Sequence, residues 1–75
     1  MPEFRNLSGS DVIKALERLG FRQARQKGSH VVMRKDLFAQ SFGCVIPLHK
    51  ELKIGTLKGI LKQAKVEIED FKKVI

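Results

Sequence analysis

Apolar positions recur along the chain with two different periods. Between Ser8 and Gly20, Val12, Ile13, Leu16 and Leu19 fall at helical spacing and form one apolar stripe. Ser8 is a capping residue with Asp11 three positions later, close to the capping-box pattern. Asp11 also suits the positive end of the helix dipole. Gly20 follows the last apolar position, where a glycine readily takes the left-handed backbone that ends a helix. This predicts a first helix over about Gly9–Leu19. The period then changes. Phe21–Lys27 is short and polar, His30–Lys35 contains Val31, Val32 and Met33, and Gly28-Ser29 between them predicts a hairpin turn. Asp36–Gly43 reads as a looser connection. Cys44-Val45-Ile46 reads as a third strand whose pairing Pro47 limits. Helical spacing returns with Leu57, Ile60, Leu61 and Ala64, in a helix opening near Gly55-Thr56 that leaves Lys58, Lys62 and Lys65 outside. Gly59 inside it costs about 1 kcal/mol relative to alanine, and is expected to allow close packing on the sheet. Ile68, Phe71, Val74 and Ile75, with Glu67, Glu69 and Asp70 near the first turn, predict a last short helix.

The expected fold class is therefore α+β: helix, three antiparallel strands, helix, short helix. Two amphipathic helices must bury their stripes, and the sheet offers one apolar face. With both helices on that face, the other is left open to a ligand. Seventy-five residues are expected to make one domain, 1–75, with no internal repeat and no low-complexity segment. A chain of this size buries only about 60% of its unfolded surface. A shallow site acting on a large ligand is expected, not a deep cavity.

Charge narrows the ligand. Lys and Arg number 15 against 8 Asp and Glu, a formal net charge of +7. Such a field attracts polyanions, of which nucleic acids and anionic membranes are the commonest. An ordinary solvated basic surface is the alternative. No apolar stretch is long enough to span a bilayer, so no membrane partner is expected. The start, Met1-Pro2-Glu3-Phe4-Arg5-Asn6-Leu7, lacks the apolar run of a signal peptide. Cys44 is the only cysteine and excludes an internal disulfide or a cysteine-rich zinc site. These features together predict a cytoplasmic protein.

Lys27-Gly28-Ser29-His30 is the stretch richest in chemistry. A tight glycine turn allows close backbone approach, and its exposed amides suit a phosphate. His30 opens the next strand, which holds its imidazole in place. Histidine titrates near neutral pH and can take and give a proton in one turnover. Arg22, Arg25, Lys27, Arg34 and Lys35 lie around it in sequence, with no acid between Arg18 and Lys35. A proton-transfer group within a basic patch suits RNA cleavage: a base takes the 2′-hydroxyl proton, an acid protonates the leaving oxygen, and cations stabilise the phosphorane. The other reading is a histidine that only fixes the turn. His49, between the last strand and the second helix, could be a second acid or a phosphate contact, but a solvated or positioning role fits it better. Two histidines without carboxylate or cysteine partners at ligand spacing do not argue for a metal, and no cofactor is expected. Cys44 suits a small core position better than a nucleophile. No Ser-His-Asp arrangement and no glycine-rich nucleotide loop can be read. Lys50, Lys53, Lys58, Lys62 and Lys65 crowd the second helix, either as a solvated face or as a phosphate-contacting stripe.

The chain resembles the HicA toxins. The resemblance is carried by the opening helix, Ser8–Phe21, by Lys27-Gly28-Ser29-His30, by Ile46-Pro47-Leu48-His49, and by Gly55–Ala64. It covers about Ser8–Phe71. It implies a fold similar to double-stranded-RNA-binding domains, with α-β-β-β-α order. It also implies an endoribonuclease that cuts messenger RNA and halts translation, and a cognate antitoxin, HicB, that blocks the active site. The family's catalytic histidine falls on His30 and its hairpin glycine on Gly28. There are two departures. Lys65 stands where the family often has a glycine after Gln-Ala, which predicts a looser or displaced break between the last helices. The segment Asp36–Gly43 carries Leu37, Phe38 and Phe42, which either pack or meet a partner. The alternative function is a non-catalytic double-stranded-RNA-binding module, since the same element order serves such modules.

Overall fold

The computed structural model describes residues 6–75. Met1–Arg5, most of the stretch expected not to be a signal peptide, lies outside the described residues. The first helix, α1, spans Gly9–Arg18. Its capping box is complete: the Asp11 amide donates to the Ser8 hydroxyl and the Ser8 amide donates to the Asp11 carboxylate, both at 3.0 Å. The Ser8 amide, then the Ser8 side chain, hold the Asp11 carboxyl below the usual carboxylate range. Gly20 adopts φ +96°, the Gly20 amide donates to the Glu17 carbonyl and the Phe21 amide to the Leu16 carbonyl. This is the Schellman closure that a left-handed residue makes possible.

Three strands follow, β1 (Arg22–Lys27), β2 (His30–Leu37) and β3 (Gln40–Pro47), paired antiparallel in the order β1-β2-β3. The Gly28-Ser29 turn is as expected, with Gly28 at φ +59°. The expected loose connection over Asp36–Gly43 is instead continuous hairpin, turning tightly at Phe38-Ala39, and β3 begins well before Cys44. The alternation is masked because Lys35 occupies an inward position, and because Phe38, at φ +54°, stands where turn chemistry favours glycine or asparagine. Pro47 pairs in register with His30. The Val45 amide turns away from β2 to donate to Gln63 Oε1 at 3.2 Å. Pro47, two residues on, shares that outward orientation, so its missing N–H removes no ladder bond.

The second helix, α2, spans Ile54–Ala64, and a short α3 spans Ile68–Lys72. The α-β-β-β-α order with an added C-terminal helix agrees with the α+β expectation. Val12, Leu16, Val31, Met33, Ile46, Leu57 and Phe71 are fully buried between the helices and one sheet face. Gly59 is exposed with open space around it. The expected close packing at Gly59 is absent because the buried stripe Leu57, Ile60, Leu61, Ala64 leaves it on the solvent side. The close approach occurs at Gly9, where a Cβ would fall on the Pro47 carbonyl oxygen. Lys65 takes φ +58°, ψ +38°, and the Val66 amide donates to the Leu61 carbonyl. The break between the last helices is therefore neither loosened nor moved: lysine adopts the backbone that Gly20 supplies to α1. Val74 and Ile75 lie beyond α3, and the Arg18 guanidinium donates to the Val74 carbonyl at 2.6 Å. Among the described residues no helix is long and apolar enough to cross a membrane.

Candidate nucleic-acid interface

Strand register sorts the candidate residues by face, because directly paired residues of adjacent strands project to the same side. Val31 pairs with Ile46 and Met33 with Cys44, and all four are buried against the helices. Their neighbours His30, Val32, Arg34 and Asp36 therefore line the open face. On β1, Lys27 pairs with His30, Arg25 with Val32 and Arg22 with Arg34. The open face thus carries Arg22, Arg25, Lys27 and Arg34 around one histidine.

Regular alternation could not produce this set. Arg22 and Arg25 are three residues apart, so an unbroken strand would send them to opposite faces. The register shifts between Gln23 and Arg25, and this bulge at Ala24 brings both guanidiniums to one side. A bulge inserts one residue and re-aims the side chains beyond it. The odd spacing of two arginines in a strand is the signal available in the sequence. The bulge and the wholly exposed, polar character of β1 also protect this edge from pairing with other chains.

The two ends of the face differ. At the end bearing the Gly28 turn, His30 opposes Lys27, with Cβ atoms of such a pair about 5 Å apart. Both are exposed. Among the described residues Arg25 and Lys27 form no ion pair. The Gln26 side chain braces the turn, its Nε2 donating to the Gly28 carbonyl at 3.1 Å. Gly28 and Ser29 form the turn itself, and the Leu48 amide donates to the Ser29 carbonyl at 2.7 Å. His49 comes next, exposed, its carbonyl accepting the Gly9 amide at 2.9 Å. The backbone thus brings His49 to the same end as His30. It also brings the positive N-terminal end of α1 there.

At the other end, Arg22 and Arg34 share one carboxylate, which offsets one of their two charges. Asp36 accepts from the Arg22 guanidinium at 3.0 Å and from Arg34 at 3.3 Å. Ser41 donates to Asp36 at 2.8 Å and accepts from Arg34 at 2.6 Å. The Ser41 hydroxyl, then Arg22, hold the Asp36 carboxyl below the usual carboxylate range. Sequence reasoning misses this network because it reads Asp36 and Ser41 as parts of a loop. Lys35 does not join the patch. It points to the inner face, where its ammonium donates to the Leu19 carbonyl at 2.9 Å and lies 5.7 Å from the Phe21 ring centroid. Lys58 and Lys62 on α2, and Lys65 at its C-cap, are exposed in the helical layer, apart from the open sheet face.

Cys44 is buried, and burial pushes its thiol up to about 11. It is a core residue, not a nucleophile. Among the described residues no three of His, Cys, Asp and Glu come together to hold a metal ion. The arrangement offers a titratable imidazole beside unpaired cations on an open surface, as a shallow phosphodiester site requires.

A family model described as the HicA toxin of bacterial toxin-antitoxin matches residues 9–66. The chain belongs to the HicA toxin family. The match spans all three strands, so the hairpin bearing His30 and the whole open face lie within the HicA region. It ends at Val66, which places α3 beyond the matched part. No match was found among curated proteins or among solved structures.

Proposed function

We propose that this HicA-family toxin is a metal-independent endoribonuclease that cuts messenger RNA. The supporting observation is the register pairing of an exposed His30 with Lys27 on the open sheet face, with Arg25 on the same side. Neutral His30 takes the proton of a ribose 2′-hydroxyl. The 2′-oxygen attacks the adjacent phosphorus, the bond to the 5′-oxygen breaks, and His30 returns the proton to that leaving oxygen. The products are a 2′,3′-cyclic phosphate and a 5′-hydroxyl. Lys27 and Arg25 stabilise the charge gathering on the phosphorane oxygens. Gly28 and Ser29 admit the phosphate backbone to the turn, His49 positions it, and Arg22 and Arg34 extend the track. The cognate antitoxin of this family lies over the same face, and complementary charge would speed its association. The 1–75 chain acts as one toxin domain, in the cytoplasm where messenger RNA is found.

Substitution of His30 tests the assignment. Positioned acid–base groups contribute about 10² to 10⁴ in rate, so His30→Ala should lose cleavage by that factor. His30 is exposed, so its melting curve should stay close to that of the parent. Cleavage should persist in EDTA and vanish on RNA carrying a 2′-deoxyribose at the cut site. Undiminished cleavage by folded His30→Ala would remove His30 from the chemistry. A pure double-stranded-RNA-binding module would instead lose affinity with no turnover to lose.

A further inference from the structure

The far end of the domain, remote from His30, holds a feature that RNA cleavage does not use. Phe38 is fully exposed and sits at φ +54° at the tip of the β2–β3 turn. A bulky side chain in the left-handed region is uncommon and strained, and such strain persists only where the surroundings or a function maintain it. Phe38 also leaves its whole ring in water, and the adjoining Leu37 is 47% exposed. The neighbouring Phe42 packs against the core instead.

Beside this tip, Leu37, Phe42, Phe21 and Val66 line a small groove of about 120 Å³. That is well below the roughly 300 Å³ and upward of small-molecule sites, and suits a single side chain. Lys35 and Lys65 form its rim. The Lys35 ammonium is held there by the Leu19 carbonyl. An apolar floor with a cationic rim selects an apolar residue flanked by carboxylates. A second copy of this chain, at net charge +7, brings the wrong charge.

We infer that this end is a second docking point for the antitoxin: Phe38 enters an apolar pocket of that protein, and an acidic, apolar segment of it fills the lysine-rimmed groove. The inference rests on the toxin–antitoxin reading but not on RNA cleavage. Eight residues of β2 separate the two ends, about 24 Å at strand rise. An antitoxin that covers His30 and grips Phe38 therefore spans the sheet. Buried aromatic anchors of this kind carry a large share of binding energy.

The test uses the purified toxin and its cognate antitoxin, with affinity, melting temperature and RNA cleavage measured for each variant. Phe38→Gly relieves the positive φ, so its melting temperature should hold or rise while antitoxin affinity falls at least tenfold. Lys65→Glu should weaken binding several-fold at low salt, with the difference shrinking at high salt. Both variants should cut RNA at the parent rate without antitoxin. Parent-like affinity of Phe38→Gly overturns the docking point. A parent toxin that cuts RNA but fails to bind the antitoxin overturns it too, and leaves the nuclease reading standing. A toxin that loses affinity on Phe38→Gly yet cuts no RNA upholds the docking point and removes the nuclease reading.

Discussion

The open sheet face has two ends built from the same residue types and different in state. Near the Gly28 turn, Lys27 and Arg25 flank His30 and form no ion pair among the described residues. Near the Phe38 turn, Arg22 and Arg34 oppose each other directly, and Asp36 with Ser41 resolves that like-charge contact. Like charges directly opposite destabilise a sheet, so the far arginines need their acid. The near cations face Val32 and His30 across the strands, not another cation, and need none. A count of basic residues therefore overstates what the surface offers a phosphate chain: the near end presents two unpaired cations among the described residues, the far end two cations that share one carboxylate.

The largest effect is expected from reversing the near pair. Arg25→Glu with Lys27→Glu should lower RNA affinity far more than Arg22→Glu with Arg34→Glu. It should also flatten the plot of log affinity against log salt by at least about 1.4, about 0.7 for each lost contact on a single strand. Equal losses from the two double variants would dissolve the distinction between the ends.

Asp36→Asn sharpens the comparison in the opposite direction. Removing the one carboxylate that Arg22 and Arg34 share should raise RNA affinity and steepen the salt dependence by up to about 0.7. Unchanged affinity would mean that RNA does not reach this end. The same carboxylate predicts a pH effect on the parent protein. Its folded pKa is depressed, so the stabilisation is present above the unfolded value, about 3.9, and is lost as pH falls through the folded value. Acid titration of the Asp36 carboxyl by NMR should find its midpoint below that of a free aspartate. In Ser41→Ala the midpoint should move upward, since Ser41 is its leading partner.

The smallest effect concerns α2 on the layer behind the sheet. Lys65→Gly should stabilise the fold by about 1 kcal/mol, because left-handed backbone costs a non-glycine residue about 1–2 kcal/mol and glycine's greater unfolded freedom offsets part of the gain. Thermal melting measures it. A lower melting temperature would show that the Lys65 side chain contributes more than its backbone costs. Cleavage should be unaffected, since Lys65 is remote from the open face.

Local chemistry determined much of this protein. The Ser8–Asp11 cap, the Gly20 stop, the Gly28-Ser29 turn and the stripes of α1 and α2 were legible, because each depends on residues within a few positions of one another. His30 could be read in the same way, as a histidine next to a glycine turn. Other features depended on distance. The bulge at Ala24 is visible only as a register against β2, and it decides that Arg22 and Arg25 share a face. The pairing of Asp36 with Arg22 crosses two strands and 14 positions of sequence. Lys35 and Arg34 are neighbours in the chain, yet strand alternation turns one inward to Leu19 and the other outward. Gly9 and Gly59 look alike in sequence, and only the packing of α1 on Pro47 shows which one has no room for a Cβ. Sequence sets what each residue can do over one turn of helix or one hairpin. Which charges stand together and which are cancelled is decided by register and packing, since electrostatic neighbours are neighbours in space.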